Sequence, residues 1–236
     1  MIIERHQSIG STNDRAKELA ASGVRDVCVV ADSQTCGRGR MGRSFFSPPG
    51  TGLYVSFVLP PEDLSMLTVS AAVFTARAVE KTIGTQVGIK WVNDLLLCGK
   101  KICGILAEGV YRPGEGIPYA VVGIGINVLK ADFPESIRET AGDIESLSGV
   151  KPDKEELLNR LIAEFENGAH ASRRDILWEY RSRSVVLGKE IRVFRGTESY
   201  AATALSVDDN GGLWVSREGE RILLQSGEVS IRIPQE

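Results

Sequence analysis

The segment Gln34-Thr35-Cys36-Gly37-Arg38-Gly39-Arg40-Met41-Gly42-Arg43 sets three guanidinium groups among three glycines. Arginine offers a permanently charged planar fork for carboxylate or phosphate, and glycine lets backbone N–H groups come close to an anion. The pattern therefore suits the grip of a small anionic molecule. It also matches Gly-x-Gly-x-x-Gly, but a dinucleotide site needs the last glycine to open a helix whose N-terminus meets the pyrophosphate. Gly42 leads instead into Ser-Phe-Phe-Ser-Pro-Pro-Gly, which cannot be helical. A protein-kinase glycine loop is excluded too, because no His-Arg-Asp or Asp-Phe-Gly triplet occurs. A solvated basic loop that binds RNA is the alternative left open.

Two further groups carry chemistry-bearing residues. Lys90-Trp91-Val92-Asn93-Asp94 is followed by Lys100-Lys101-Ile102-Cys103-Gly104-Ile105-Leu106-Ala107-Glu108. On strict strand alternation Lys101, Cys103 and Ile105 face one way, and Ile102, Gly104, Leu106 and Glu108 the other. Gly104 inside a strand marks a close approach by a ligand or another chain segment, or else a bulge. The third group, Val122-Gly123-Ile124-Gly125-Ile126-Asn127, is a strand with two glycines that ends in an amide, suited to an adenine edge or to a turn.

The elements that would hold these residues follow from periodicity. Ser11-Thr12 caps a first helix with Ala16, Leu19 and Ala20 on one face and Gly23 stopping it. Val27–Ala31 reads as a buried strand, residues 32–52 as a long loop, and Leu53–Leu59 as the next strand. Ser65 starts a helix that runs to about Ile83. Strands over Ile89–Val92, Leu95–Cys98, Ile102–Tyr111 and Ala120–Val128 come next, with Gly99-Lys100 as a hairpin turn. Asp153 and Glu156 open a further helix whose buried stripe is Leu157, Leu158, Leu161, Ile162 and Phe165, and helix continues towards Tyr180. From about residue 185 the pattern changes to short strands, Ile191–Phe194, Tyr200–Leu205, Leu213–Val215, Ile222–Leu224 and Val229–Ile233, with a turn at Asp208–Gly212. Strands following closely on strands argue for an α+β class: a mixed, largely antiparallel sheet packed with helices over residues 1–184, and a small β-barrel over 185–236.

Of the 236 residues, 42% are hydrophobic and 25% charged, which fits a globular chain with a core and excludes disorder. The net charge of −3 argues against bulk nucleic-acid binding, which needs a broad cationic face. Cys28, Cys36, Cys98 and Cys103 form no Cys-x-x-Cys pair, and His6 and His170 lie far from them in sequence, so no metal site is expected. The N-terminus does not read as a signal peptide and no apolar run is long enough for a membrane span, so a cytoplasmic protein with no membrane partner is expected.

The ordered set Ser-Thr-Asn, Gln-x-x-Gly-Arg-Gly-Arg-x-Gly-Arg, Lys-Trp-x-Asn-Asp, Lys-x-x-Gly-Ile-Leu and Gly-x-Gly-Ile-Asn resembles the biotin protein ligases, over nearly the whole chain from Ser11 to Gly227-Glu228-Val229-Ser230-Ile231-Arg232. The resemblance implies ATP-dependent activation of biotin to biotinoyl-5′-AMP, with Mg2+, and transfer to a lysine of a biotin carboxyl carrier protein. It implies a class II synthetase-like catalytic domain and an SH3-like C-terminal barrel. By the same resemblance Ser11, Thr12, Asn13, Gln34, Gly37, Arg38, Gly39, Arg40, Lys101, Gly104 and Gly123 are the biotin-binding residues. Arg38, Arg40, Phe45, Asn93, Lys101 and Asn127 are those for ATP, and Lys101, Arg38 and Arg40 are the catalytic set. Val92 stands where the family usually has proline, and Phe45 where it often has tryptophan. The catalytic pattern starts within the first dozen residues, which implies a monofunctional ligase with no specific DNA binding. A homodimer is implied from the family. Lipoate protein ligase, which shares the fold and the acyl-adenylate chemistry, is the nearest alternative.

Overall fold

The computed structural model describes residues 1–60, 64–112, 116–168, 170–225 and 229–232. The helix expected to start at Ser65 already includes Leu64, and the Ser65 side chain and the Gly227-Glu228 and Ile233 positions lie outside what it describes.

Seven strands form one sheet in the order β1-β2-β3-β7-β6-β5-β4. They are β1 (Ile2–Ile9), β2 (Val27–Gln34), β3 (Gly52–Leu59), β4 (Gly88–Lys90), β5 (Asp94–Leu97), β6 (Lys100–Arg112) and β7 (Gly116–Asn127). β1 runs parallel to β2 and every other neighbouring pair is antiparallel. The expected mixed, largely antiparallel sheet is therefore what forms. β1 has no counterpart in the sequence reading. Its Glu-Arg-His-Gln centre lacks alternation because it is a sheet edge, where charged side chains blunt pairing with other chains.

Both faces of the sheet are covered, which is why β3 reads as an apolar run and not as an alternating one. Leu53, Val55 and Phe57 of β3 and Val122, Ile124 and Ile126 of β7 join one core with α2 (Leu64–Ile83), α5 (Lys154–Gly168) and α6 (Arg173–Ser182). Phe57, Phe74 and Phe165 meet at its centre, with the first and last rings stacked at 4.2 Å. On the opposite face α1 (Thr12–Ala21) lays Ala16 and Ala20 on Val27, Val29, Val58, Tyr119 and Val121. α1 leaves part of this second face uncovered, and the candidate site lies there. Two short helices, α3 (Glu135–Arg138) and α4 (Ile144–Ser148), follow β7 and were not expected from periodicity, being only one turn each.

Five strands follow: β8 (Glu190–Arg195), β9 (Glu198–Val207), β10 (Leu213–Arg217), β11 (Glu220–Leu224) and β12 (Val229–Arg232), in the order β11-β10-β9-β8-β12 and all antiparallel. The expected barrel is corrected here. No pairing joins β11 to β12 among the described residues, so the sheet stays open. Its apolar side does not need closure, because Ile191, Val193, Ala204, Val215 and Ile231 are buried in the same core as α2 and α6. Trp91 Nε1 donates to Gly211 O at 2.9 Å in the β9–β10 turn, and Arg181 donates to Val207 O. Among the described residues no helix is long and apolar enough to cross a membrane.

Candidate active site

A cleft of about 1240 Å³ opens on the α1 face of the large sheet. Its lining includes Ser11, Thr12, Asn13, Gln34, Arg38, Gly39, Arg40, Phe45, Asn93, Asp94, Lys101, Gly104, Gly123 and Gly125. Six cationic side chains line it against two acidic ones, so the cleft is strongly positive in a chain of net −3. Of the residues expected at the site, all but two meet here. Gly37 and Asn127 do not line the cleft. Gly37 lies under the loop, where a Cβ would come within 2.6 Å of Phe45 O and Ser47 Oγ. Asn127 donates its amide to Gly142 O at 2.9 Å, fastening the end of β7 to the following loop.

The arginine–glycine loop folds back on itself instead of opening a helix. Arg38 bridges Ser44, Gly39 N donates to Arg43 O at 2.7 Å, and Met41 and Gly42 turn through the left-handed region. Two contacts hold it across the cleft. Arg38 pairs with Asp14 of α1, and Arg40 Nη1 donates to Asn93 Oδ1 at 3.1 Å. Burial draws the Arg40 guanidinium below its ordinary pKa, offset in part by the charge of Asp94. Asn93 is itself fixed, its Nδ2 donating to Ile105 O at 2.8 Å.

Lys101 corrects the alternation argument. The β5–β6 register slips between Leu95 and Leu96: Leu95 faces Cys103 and Leu96 faces Lys101, which leaves Ile102 as an extra residue. Ile102 and Cys103 both enter the core, and Lys101 turns over to the cleft face beside Gly104. A bulge of this kind re-aims one side chain. Lys101 Nζ then lies 2.6 Å from Asp94 Oδ1, an ion pair whose direction falls outside hydrogen-bond geometry, and 5.9 Å from the centre of the Phe45 ring. The close approaches are made by Phe45 and Lys101 at Gly104 and by Phe45 at Gly125, where a Cβ would overlap its ring.

A buried hydrogen-bond chain also lines the cleft. Gln34 Oε1 accepts from Thr12 N at 2.9 Å and from Thr12 Oγ1 at 3.0 Å, while its Nε2 donates to Ser47 Oγ. Ser56 Oγ lies 2.8 Å from Thr12 Oγ1 and 2.6 Å from Asn13 Oδ1. Asn13 Nδ2 donates to Glu108 Oε2 at 2.8 Å, and Lys17 Nζ binds Glu108 Oε1 at 2.6 Å. Gly123 makes room for the Asn13 amide, which a Cβ there would overlap. Burial alone would raise the Glu108 carboxyl, but the hydrogen bonds from Lys17 and Asn13 and the charges of Lys17 and Arg38 hold it below its ordinary value. Ser56 and Lys17 escaped the sequence reading, which named Glu108 in its strand but not its link to Asn13. Ser56 did carry a signal, as the one polar residue inside the apolar run Leu53–Leu59.

Residues 6–127 match the model of the biotin/lipoate A/B protein ligase family. The chain belongs to that family. It is 34% identical over 221 residues to the bifunctional ligase/repressor BirA of Bacillus subtilis, covering 88% of this chain and 67% of that one, so it spans about two thirds of that relative's length. It is 30% identical over 240 residues to the biotin--[acetyl-CoA-carboxylase] ligase of Mycobacterium tuberculosis, covering 93% and 85%. Among solved structures it superposes on the biotin protein ligase of Aquifex aeolicus in complex with biotin and ATP with a TM-score of 0.86, 28% identity and 99% of both chains covered. The ligase fold thus accounts for the whole described chain, including the C-terminal sheet.

Proposed function

We propose that the chain activates biotin with ATP and passes the biotinoyl group to a lysine of a biotin carboxyl carrier domain. The observation that carries this reading is one cleft lined both by a buried polar chain and by Arg38, Arg40 and Lys101. In the first half-reaction a biotin carboxylate oxygen attacks the α-phosphorus and pyrophosphate leaves. Two anions must meet, and the three cations offset their repulsion and stabilise charge gathering on the α-phosphate. Lys101, turned over by the bulge onto the cleft face, is the group proposed to touch both the carboxylate and the α-phosphate. The loop tied down by Asp14 and Asn93 covers the mixed anhydride and keeps water from it.

In the second half-reaction the carrier lysine nitrogen attacks the acyl carbon, AMP leaves, and the amine gives up its proton. Asp94, the carboxylate paired with Lys101, is the group proposed to take it. Magnesium is proposed as the companion of ATP, borne on its phosphate oxygens with water, where it neutralises charge. Among the described residues no three His, Cys, Asp or Glu side chains cluster to hold a metal ion. We propose residues 1–184 as the catalytic unit, 185–236 as an accessory β unit, and a homodimer as the working form, which light scattering would read.

A lipoate ligase reading is weaker, because the dithiolane end of lipoate has no N–H to offer the oxygen atoms of Gln34, Thr12, Ser56 and Asn13. ATP–pyrophosphate exchange measured with biotin, with lipoate and with neither decides. Exchange with biotin alone is expected. Exchange with lipoate in preference sinks the reading, and no exchange at all would favour an RNA-binding module.

A further inference from the structure

The recognition chain can be counted proton by proton. Gln34 Oε1, Thr12 Oγ1, Ser56 Oγ and Asn13 Oδ1 stand in line with three close contacts of 3.0, 2.8 and 2.6 Å. The two ends are carbonyl oxygens, and only the two hydroxyls bring protons. Two protons cannot fill three contacts. Both ends are locked in this sense: Gln34 Oε1 is held by Thr12 N–H, and Asn13 Oδ1 faces Ser56 because Nδ2 is committed to Glu108 at 2.8 Å, with Leu106 O a longer second acceptor at 3.4 Å. With Thr12 donating to Gln34 and Ser56 to Asn13, the hydroxyl oxygens of Thr12 and Ser56 face each other with no proton between them. If the Asn13 amide turned over, Nδ2 would donate to Ser56, Ser56 to Thr12 and Thr12 to Gln34, and the chain would satisfy itself.

We infer that Glu108, anchored by Lys17, is a positioning residue that keeps the Asn13 amide turned so that the Thr12–Ser56 pair stays one proton short and favours a substrate head group carrying N–H donors. It touches no substrate. It acts through Asn13, which spans from Ser56 on β3 to Glu108 on β6 across the gap left by Gly123. Burial gives this polarity its weight, since Thr12 and Asn13 are 4% and 5% exposed and an unmatched oxygen there is costly. The inference rests on the biotin reading, biotin being the substrate whose ureido ring has N–H groups at that end.

The test uses Glu108→Gln, Asn13→Asp and the double variant in biotin-dependent pyrophosphate exchange. In Glu108→Gln the Lys17 ammonium keeps the new amide oxygen, so the amide nitrogen faces Asn13 and turns it over. The biotin KM is expected to rise tenfold or more, with kcat within twofold and the ATP KM unchanged. Asn13→Asp sets two carboxylates face to face and is expected to weaken biotin similarly. The double variant restores donor to acceptor, leaves the chain again one proton short, and is expected to recover a biotin KM within threefold of the parent. A Glu108→Gln KM within threefold of the parent overturns the inference, and so does a double variant no better than the worse single. Should one single variant fail to fold, judged by its melting curve, the other single set against the double variant decides. Biotin-dependent exchange in the parent tests the function itself, so the two failures are told apart.

Discussion

Lys101 Nζ stands 2.6 Å from Asp94 Oδ1 because the extra residue Ile102 in β6 turns the lysine out of the core and onto the cleft face. In the proposed reaction the pair serves twice, as a cation where two anions meet and as a carboxylate where an ammonium later loses a proton. Replacing Lys101 by Ala should lower biotin-dependent pyrophosphate exchange roughly 10²–10³-fold, the usual cost of deleting one group aimed at developing charge. The fold should be kept, because no backbone bond depends on the side chain. Near-normal exchange would remove Lys101 from the reaction.

Asp94→Asn separates the two half-reactions. It keeps the shape but cannot take a proton, so transfer from preformed biotinoyl-adenylate to a carrier lysine should slow at neutral pH by roughly 10²-fold, within the range of general-base effects. Raising the pH deprotonates the acceptor amine and should recover much of the loss. An unchanged transfer rate at pH 7 excludes Asp94 as the base.

How much of this was legible in the sequence depended on whether the signal was local. The arginine–glycine loop, the helical stripe of α5 and the turn at Asp208–Gly212 announce themselves, and each forms where expected. The face of Lys101 was not legible, because a bulge is set by the β5–β6 register and one inserted residue reverses every alternation argument beyond it. Edge strand β1 was hidden by its charges, and the link of Glu108 to Asn13 by distance, since the two meet only after β6 pairs with β7 and α1 docks on them. Gly123 and Gly125 line the cleft and also make room for Asn13 and Phe45, side chains separated from them by most of the catalytic sequence.

Arg40→Gly deletes the bond to Asn93 and shifts the hold on the loop towards the pair of Arg38 and Asp14. That remaining pair is exposed, and exposed pairs hold little. The expected outcome is release of biotinoyl-adenylate at least tenfold faster, read by trapping released adenylate, with exchange itself less affected. Asn93→Ala should give a milder version of the same leak. Adenylate retained as long as in the parent would show that the Arg40 contact does not close the loop.

Gly123→Ala and Gly125→Ala should part in what they damage. A methyl at Gly123 strikes the Asn13 amide, and one at Gly125 strikes the Phe45 ring. Overpacking of this kind costs about 1–3 kcal/mol when neighbours cannot retreat. Asn13 is locked at both ends, so Gly123→Ala should lower both melting temperature and biotin affinity. Phe45 sits on a loop outside the sheet and not in the core, so Gly125→Ala should weaken ATP while sparing stability. Calorimetric titrations with each ligand would read the difference, and equal losses for both ligands in both variants would contradict it.

Trp91 tests whether the C-terminal sheet is an appendage or part of one cooperative body. Its indole N–H reaches Gly211 O in a buried contact, and the sheet shares the core of α2 and α6. Trp91→Phe leaves the Gly211 carbonyl without that donor, at a cost of about 1–3 kcal/mol. Thermal unfolding should remain a single transition shifted downward. A new early transition would mean that the sheet unfolds by itself.

Acid should weaken the fold through carboxylates held below their ordinary values, and the tie between Asp32 and Lys154 isolates one of them. The Lys154 ammonium 2.8 Å from Asp32 Oδ1 is the main cause of its lowered pKa; burial opposes it and the Gly50 N–H assists. A carboxylate whose pKa is lower folded than unfolded contributes stability above its unfolded value, and the contribution drains away as pH falls through the folded one. Lys154→Met removes that contribution at every pH. The melting temperatures of parent and variant should therefore differ most near pH 7, by the equivalent of no more than about 1 kcal/mol for so exposed a pair, and converge as the pH is brought below about 4. A gap that stays constant down to pH 3 would assign the effect of Lys154 to packing on the turn at Gly50 and not to its charge.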